Sequence, residues 1–353
     1  MTVSTTLMMP QKSPTCSAPT IREAFASRLG DLWPEGAPHR ALLAVSGGAD
    51  STAMALLAKG SDSSFFEHLA MAHFHHHLRE EEAERDAEFV KDLSKELQFP
   101  YFRGDWSPGE RRENHRVDRN LQAAARKARY DFLFETAKSQ SCPVLLTAHH
   151  ARDQVETLLH NLSRGGRSGA FQGIRPRIRR EGIWILRPLL WTFPEELRIY
   201  LDKEGQPHRE DSSNASTHYR RNWIRSQLLS KIREAEPTFE QEMLERWEGH
   251  RLDQESIMAL IERLKRQSLR REDEWVIPMG GLRDLDEDTR VACLRWFLRD
   301  LVKDQASHGW DPIRQAPLEA LLDLIDSGEE GTINLPTQIR AEVRGRGLAL
   351  QAK

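Results

Sequence analysis

Five short apolar runs, at residues 41–46, 68–74, 101–106, 143–148 and 183–190, punctuate the first part of the chain, and amphipathic stretches separate them. Runs of that length, bounded by polar or turn residues, predict buried strands. Apolar residues at helical spacing fill the intervals. Residues 21–30 predict a short helix, and residues 51–59 a second one that ends at Gly60, where a C′ glycine belongs. Residues 80–98 align Ala83, Ala87, Val90, Leu93 and Leu97, and residues 120–138 align Leu121, Ala125, Ala128 and Phe132. Strand–helix alternation of this kind predicts an α/β fold, a Rossmann-like parallel sheet with helices on both faces. Its ligand site belongs beyond the carboxyl ends of the strands.

Past residue 218 the pattern changes. Residues 222–235, 236–267, 286–303 and 316–326 read as helices, and the tail alternates like short strands at 333–335, 339–343 and 347–351. The expected organisation is a flexible leader over 1–20, an α/β domain over 21–220, and a helical region over 221–353 that ends in a small β element. No internal repeat is visible.

Composition adds exclusions. The Ser/Thr/Pro-rich leader has no apolar segment behind a basic start, so it does not read as a signal peptide. No apolar run approaches the roughly 18 residues of a membrane helix. Cys16, Cys142 and Cys293 are too scattered for a disulfide framework or a C-x-x-C pair, which suits a reducing cytoplasm. A net charge of −3 argues, taken alone, against a nucleic-acid partner, but the charge is unevenly spread. Between Arg164 and Arg187 seven arginines face the single acid Glu181; further basic clusters span 103–129 and include Arg220, Arg221 and Arg225. A basic face for a polyphosphate is therefore compatible with the balanced total.

The first predicted strand runs into Val45-Ser-Gly-Gly-Ala-Asp-Ser51 and then a helix. A glycine-rich strand-to-helix turn gathers backbone N–H groups and the positive end of the helix dipole, which favours an anion. The lysine of a P-loop is missing, and the G-x-G-x-x-G of a dinucleotide fingerprint is absent as well. Ser46, Gly47, Gly48, Ala49 and Ser51 suit phosphate; Asp50 repels it unless a cation such as Mg²⁺ bridges the two. The loop resembles that of the PP-loop ATP pyrophosphatases, which adenylate an oxygen and release pyrophosphate.

Four more stretches resemble the bacterial tRNA(Ile)-lysidine synthases within that group. They are His73-Phe-His-His-His-Leu-Arg79, Ala124-Ala-Arg-Lys-Ala-Arg-Tyr130, Thr147-Ala-His-His-Ala-Arg-Asp-Gln-Val-Glu-Thr157 with Arg164-Gly-Gly166, and Arg209-Glu-Asp-Ser-Ser-Asn214 with Arg221-Asn-Trp-Ile-Arg225. The resemblance covers roughly 39–230. It implies an ATP- and Mg²⁺-dependent carbon–nitrogen ligase that joins free L-lysine to C2 of the wobble cytidine of a CAU-anticodon isoleucine tRNA. The cytidine passes through an O-adenylate, and pyrophosphate and then AMP leave.

On that resemblance Ser46, Gly47, Gly48, Ala49, Asp50, Ser51, His73 and His76 bind ATP, with Asp50 on the metal. Asp153 and Glu156, three apart on one helix face, suit a dibasic amino acid and, with Asp50 and Arg126, are the candidate catalytic residues. Arg126 and Arg129, also three apart, suit a phosphate or the lysine carboxylate, and Arg129 is placed in the lysine pocket. Arg164, Arg167, Arg221 and Arg225 suit the tRNA backbone. No membrane partner is expected, and assembly is left open, a homodimer included. His75, His77, Gln122 and Arg152 depart from the family pattern, and Arg152 adds positive charge beside the lysine pocket. A triple histidine at a strand end brings at most two imidazoles to one side, which disfavours a histidine metal site. Trp184, Trp191 and Trp223 are expected in the core.

Other readings are a tRNA 2-thiolation enzyme of the same loop group, another adenylating synthetase or amidotransferase, and a tRNA-binding relic without chemistry. The first needs reactive cysteines or an Fe–S cluster. The second leaves the Thr147–Thr157 and Arg221–Arg225 stretches unexplained. The third is at odds with an intact loop that keeps Asp50.

Overall fold

The structure is a computed structural model, and it describes residues 20–61, 65–75, 80–106, 117–164, 170–209, 223–301, 315–335 and 338–352. The leader lies outside that range. The chain divides into two compact units, one up to Trp247 and one from Glu248 onward.

The first unit is built on a six-stranded sheet. Strands β1 (Arg40–Ala44), β2 (His68–His75), β3 (Tyr101–Asp105), β4 (Val144–Leu146), β5 (Arg177–Arg180) and β6 (Ile183–Leu186) lie in the order β3-β2-β1-β4-β6-β5. All pairings are parallel except that of β5 with β6. Alternation in β1 shows why its run is continuously apolar. Ala41 and Leu43 join one buried cluster with Met54, Leu57 and Val90, while Leu42 joins another with Ala70, Tyr130 and Leu145. Both faces are covered, as parallel strands require.

The helices are α1 (Ile21–Leu32), α2 (Ala49–Gly60), α3 (Glu80–Glu96), α4 (Val117–Ser139), α5 (Ala151–Leu162) and α6 (Pro194–Glu204). Strand order reverses at β1: β2 lies on one side and β4 on the other. The loops leaving β1 and β4 therefore emerge side by side, at the switch point where open α/β sheets bind ligands.

Two elements escape the apolar pattern. The β5 sequence Arg-Ile-Arg-Arg has no apolar run, yet it pairs with β6 through a two-residue turn in which Glu181 (φ 48°) and Gly182 (φ 85°) are both left-handed. The strand expected to continue to 190 stops at Leu186, since Pro188 cannot donate to a ladder.

The first unit also continues beyond the change of pattern near 220. A π-helical turn, Ile224–Leu228, leads into α7 (Leu229–Ala235) and α8 (Phe239–Gln267). Ile224 and Leu229 pack on Val155, and Leu244 and Trp247 pack on Ala151, Leu158 and Leu190. Arg152 fastens this packing: its Nε and Nη2 each donate to Glu240 at 3.0 Å, and Nη1 lies 2.8 Å from Glu195. Burial works against the Arg152 charge, but the two carboxylates outweigh it and raise its pKa. Glu240 is only 6% exposed. Arg152→Ala is therefore expected to cost about 3–5 kcal/mol, because it strands a buried carboxylate; the thermal or denaturant midpoint checks this.

In the second unit, β7 (Leu269–Arg270), β8 (Glu274–Pro278), β9 (Gly331–Leu335), β10 (Ile339–Arg344) and β11 (Gly347–Ala352) form an antiparallel sheet in the order β7-β8-β11-β10-β9. Helices α9 (Met279–Arg283), α10 (Glu287–Leu301) and α11 (Gln315–Ser327) accompany it. Phe297, Leu321, Ile325 and Leu350 share its core with Ile261 and Leu264 of α8. The β element is thus larger than the tail alone, because the short strand β8 joins it.

Candidate active site

Gly48 is the N-cap of α2 and no side chain caps it, so the first amides of the helix face outward as anion donors. Gly47 has φ +99°, a left-handed backbone conformation that L side chains rarely adopt, so glycine fits there without strain. Gly47→Ala is expected to cost about 1–3 kcal/mol, read as a lowered melting temperature. Ser51 is buried, and its Oγ accepts from the Ser46 and Gly47 amides (3.1 and 3.2 Å) and lies 3.0 Å from the Gly48 carbonyl. It shapes the loop from within, while Ser46 is exposed at its rim. His73 is buried and its Nδ1 donates to the Val45 carbonyl at 2.9 Å, bracing the loop entry; burial lowers its pKa.

Asp50 sits in the first turn of α2, and its carboxylate lies 3.5 Å from His150 Nε2. His150 is the N-cap of α5: its Nδ1 accepts from the Asp153 amide (3.2 Å), and its own amide donates to the Asp153 carboxylate (3.1 Å). Burial disfavours its charge, but the hydrogen bond to Asp50 and the carboxylates of Asp153, Asp50 and Glu156 outweigh burial and raise its pKa. One imidazole thus ties the loop after β1 to the helix after β4. The sequence shows the histidine but not this pairing, which needs β1 and β4 to be neighbours.

Behind the two loops is a cleft of about 490 Å³, lined among others by Ser46, Arg129, His149, Asp153, Glu156 and Arg225. Asp153 and Glu156 share the cleft as their spacing predicts, and Asp153 also serves the helix N-terminus. Glu156 is 2% exposed, and its Oε1 lies 3.5 Å from Arg225 Nε on the π-turn. Arg225 therefore reaches Glu156 in the cleft, whereas the sequence suggests a tRNA-backbone role for it. His149 Nδ1 lies 3.0 Å from Thr147 Oγ1. Burial, with Arg187, Arg129 and Arg126 nearby, pushes its imidazole down to about 3 against the pull of Asp153, so it is neutral at physiological pH. Arg126 is exposed, its guanidinium 5.2 Å from the Tyr130 ring centroid.

Arg152 does not act on the cleft as expected. Its guanidinium is held by Glu240 and Glu195, and it is absent from the cleft lining. Trp223 is also corrected: it is 49% exposed, because the turn that follows anchors itself through Ile224 instead. Trp184 and Trp191 do pack, the latter against Trp247 at 5.7 Å. His75 is buried between Glu84 (3.8 Å) and Asp105 (3.9 Å), which Arg103 bridges. Among the described residues no group of three or more His, Cys, Asp or Glu side chains is arranged to hold a metal. Arg164 is exposed. His76, His77, Gln122, Arg167 and Arg221 lie outside the residues whose side chains are described. No helix among the described residues is long and apolar enough to cross a membrane.

A family model described as the PP-loop domain matches residues 21–232. A tRNA(Ile)-lysidine synthase from Thermus thermophilus is 37% identical over 239 residues, 67% of this chain and 43% of that protein. One from Enterococcus faecalis is 32% identical over 247 residues, 69% of this chain and 52% of that protein. The chain spans about half the length of the curated relatives it matches. Among solved structures, the U34-tRNA thiolase of Methanococcus maripaludis superposes with a TM-score of 0.52 at 12% identity, covering 68% of this chain and 88% of that one. That likeness concerns the fold.

Proposed function

This chain belongs to the PP-loop domain family, and from that premise we propose that it ligates L-lysine to the wobble cytidine of a CAU-anticodon isoleucine tRNA at the expense of ATP. The observation that carries the reading is a single cleft with an anion-binding helix start at one edge and the acids Asp153 and Glu156 in its wall. An adenylating enzyme needs the first; a dibasic acceptor needs the second.

The triphosphate lies against the amides at the start of α2, shaped by Ser51 and Gly47. Asp50 fits Mg²⁺, which takes one or two carboxylates and fills its remaining positions with phosphate oxygens and water. Held by Asp50, such an ion would offset the repulsion between this carboxylate and the phosphates and would supply charge stabilisation for the pyrophosphate leaving group. His150 holds Asp50 and Asp153 in register. The cytidine O2 attacks the α-phosphorus, pyrophosphate leaves, and the resulting O-adenylate makes C2 electrophilic. Asp153 and Glu156 bind the ammonium groups of lysine and accept the proton that must leave Nζ before it attacks C2 and expels AMP. Arg164, Arg167, Arg221 and Arg225 support the tRNA backbone, and a cytoplasmic setting follows.

Sulfur transfer has less support. Cys142 and Cys293 are buried, and burial raises each thiol to about 11, so neither is a thiolate at neutral pH. AMP release in the presence of lysine and the CAU tRNA, and its loss when the anticodon is changed to GAU, tests the reading; release that ignores lysine contradicts it.

A further inference from the structure

Arg209 is distant from the loop after β1 in sequence, yet it is seated on that loop. Helix α6 ends at Gly205, a left-handed C-cap with φ 65°, and the Gln206 amide donates to the Leu201 carbonyl at 2.9 Å. The strap that follows crosses to the loop. There Arg209 pairs with Gly48 in a parallel bridge, and its amide donates to the Gly47 carbonyl at 2.9 Å. Thr52, buried in the first turn of α2, donates its hydroxyl to the same carbonyl at 3.2 Å. Two donors thus fix the direction of one carbonyl. A trans peptide is planar, with its C=O and N–H on opposite sides. The Gly48 amide therefore points away from the strap, at the uncapped start of α2. The Arg209 side chain holds the strap down. Its Cγ would stand 3.6 Å from a Cβ at Gly47, an ordinary contact distance, and its Nε donates to Asp86 Oδ1 of α3 at 2.9 Å.

We propose that Arg209 is a positioning residue for the phosphates of ATP. Its amide sets the Gly47–Gly48 peptide so that Gly48 presents its N–H to the triphosphate, and the ion pair with Asp86 keeps that amide in place. The proposal rests on the ATP reading above and deepens it by naming what holds the loop in its binding form. When a peptide plane flips, its carbonyl and its amide exchange sides, and a glycine pair resists such a flip less than other residues do. A carbonyl turned toward the phosphates repels them, whereas an amide at a helix start attracts them. The bonds to Ser51 Oγ come from the amides of Ser46 and Gly47, so they hold the peptides before Gly47 and not the one after it. Arg209 and Thr52 hold that one. The Arg209 guanidinium is engaged with Asp86, so this residue acts through its backbone and not as a phosphate ligand.

Calorimetric titration of the full chain with ATP and Mg²⁺ tests this, together with steady-state kinetics in which ATP and lysine are varied in turn. The side chains of the pair are 37% and 34% exposed, so Asp86→Asn and Arg209→Gln are each expected to weaken ATP by only about 3- to 5-fold, in Kd and in KM. The double variant should be no weaker than either single one, since both remove the same contact. The KM for lysine should not move. Arg209→Pro also deletes the amide and should weaken ATP about 10-fold or more. If that variant does not fold, the other two carry the test. Weaker ATP binding in Arg209→Gln but not in Asp86→Asn would make the guanidinium itself a phosphate ligand and overturns the proposal. An equal rise in the lysine KM, or a lowered melting temperature with ATP affinity unchanged, overturns it too. Wild-type protein that binds no ATP removes the underlying reading as well. Wild-type binding with unmoved ATP affinity in every variant removes this role alone.

Discussion

Asp50→Ala is expected to lower ATP-dependent lysine transfer by about 10³-fold or more while leaving tRNA affinity nearly intact. The loop amides and the helix dipole still attract phosphate in the variant, but nothing then holds the cation that stabilises the leaving pyrophosphate. Asp50 is over a third exposed and contributes no core packing, so the loss should be catalytic. Incorporation of labelled lysine gives the rate and filter binding gives the tRNA affinity. Asp50→Asn keeps the size and removes the charge, so it should behave like alanine. Full activity in either variant contradicts the role given to this carboxylate.

Glu156→Gln is expected to raise the KM for lysine by about 100-fold. Removing one partner of a buried charged hydrogen bond costs about 2–5 kcal/mol, and RT ln 100 falls within that range. The amide keeps the shape of a side chain that is 2% exposed, so stability should change little. Asp153→Asn should also weaken lysine binding. It should lower the melting temperature too, because the variant keeps an acceptor for the His150 amide but loses the negative charge in the first turn of α5, 3.5 Å from His150. An acid at a helix N-terminus contributes about 0.3–1 kcal/mol. Lysine titration of the rate and thermal melts separate the two variants, and a lysine KM that rises in only one of them would mean that only one of the acids meets substrate.

The parts of this site that were legible in the sequence are those that lie within one turn or loop. Val45–Ser51 carries its own chemistry, since glycines, serines and an acid between a strand and a helix admit few uses. The spacing of Asp153 and Glu156 likewise sets their common face. What could not be read depends on partners distant along the chain. His150 meets Asp50 across 100 residues, and only the β1–β4 pairing brings them together. Arg152 looked like a cation beside the lysine pocket, but Glu240, 88 residues on, draws it away. Strands β5 and β8 were missed for a local reason. Arg-Ile-Arg-Arg and Glu-Trp-Val-Ile-Pro are too short or too charged to show a period, and their neighbours in the sheet define them. Residue type alone puts Trp223 in the core, whereas Ile224 takes the buried position.

The most direct measurement is mass spectrometry of the CAU-anticodon isoleucine tRNA after incubation with the protein, ATP, Mg²⁺ and L-lysine, with nuclease fragments locating any change. The account predicts one lysine condensed onto the wobble cytidine, dependent on ATP and absent with Asp50→Ala. An unmodified cytidine, or one that has exchanged oxygen for sulfur, would contradict it.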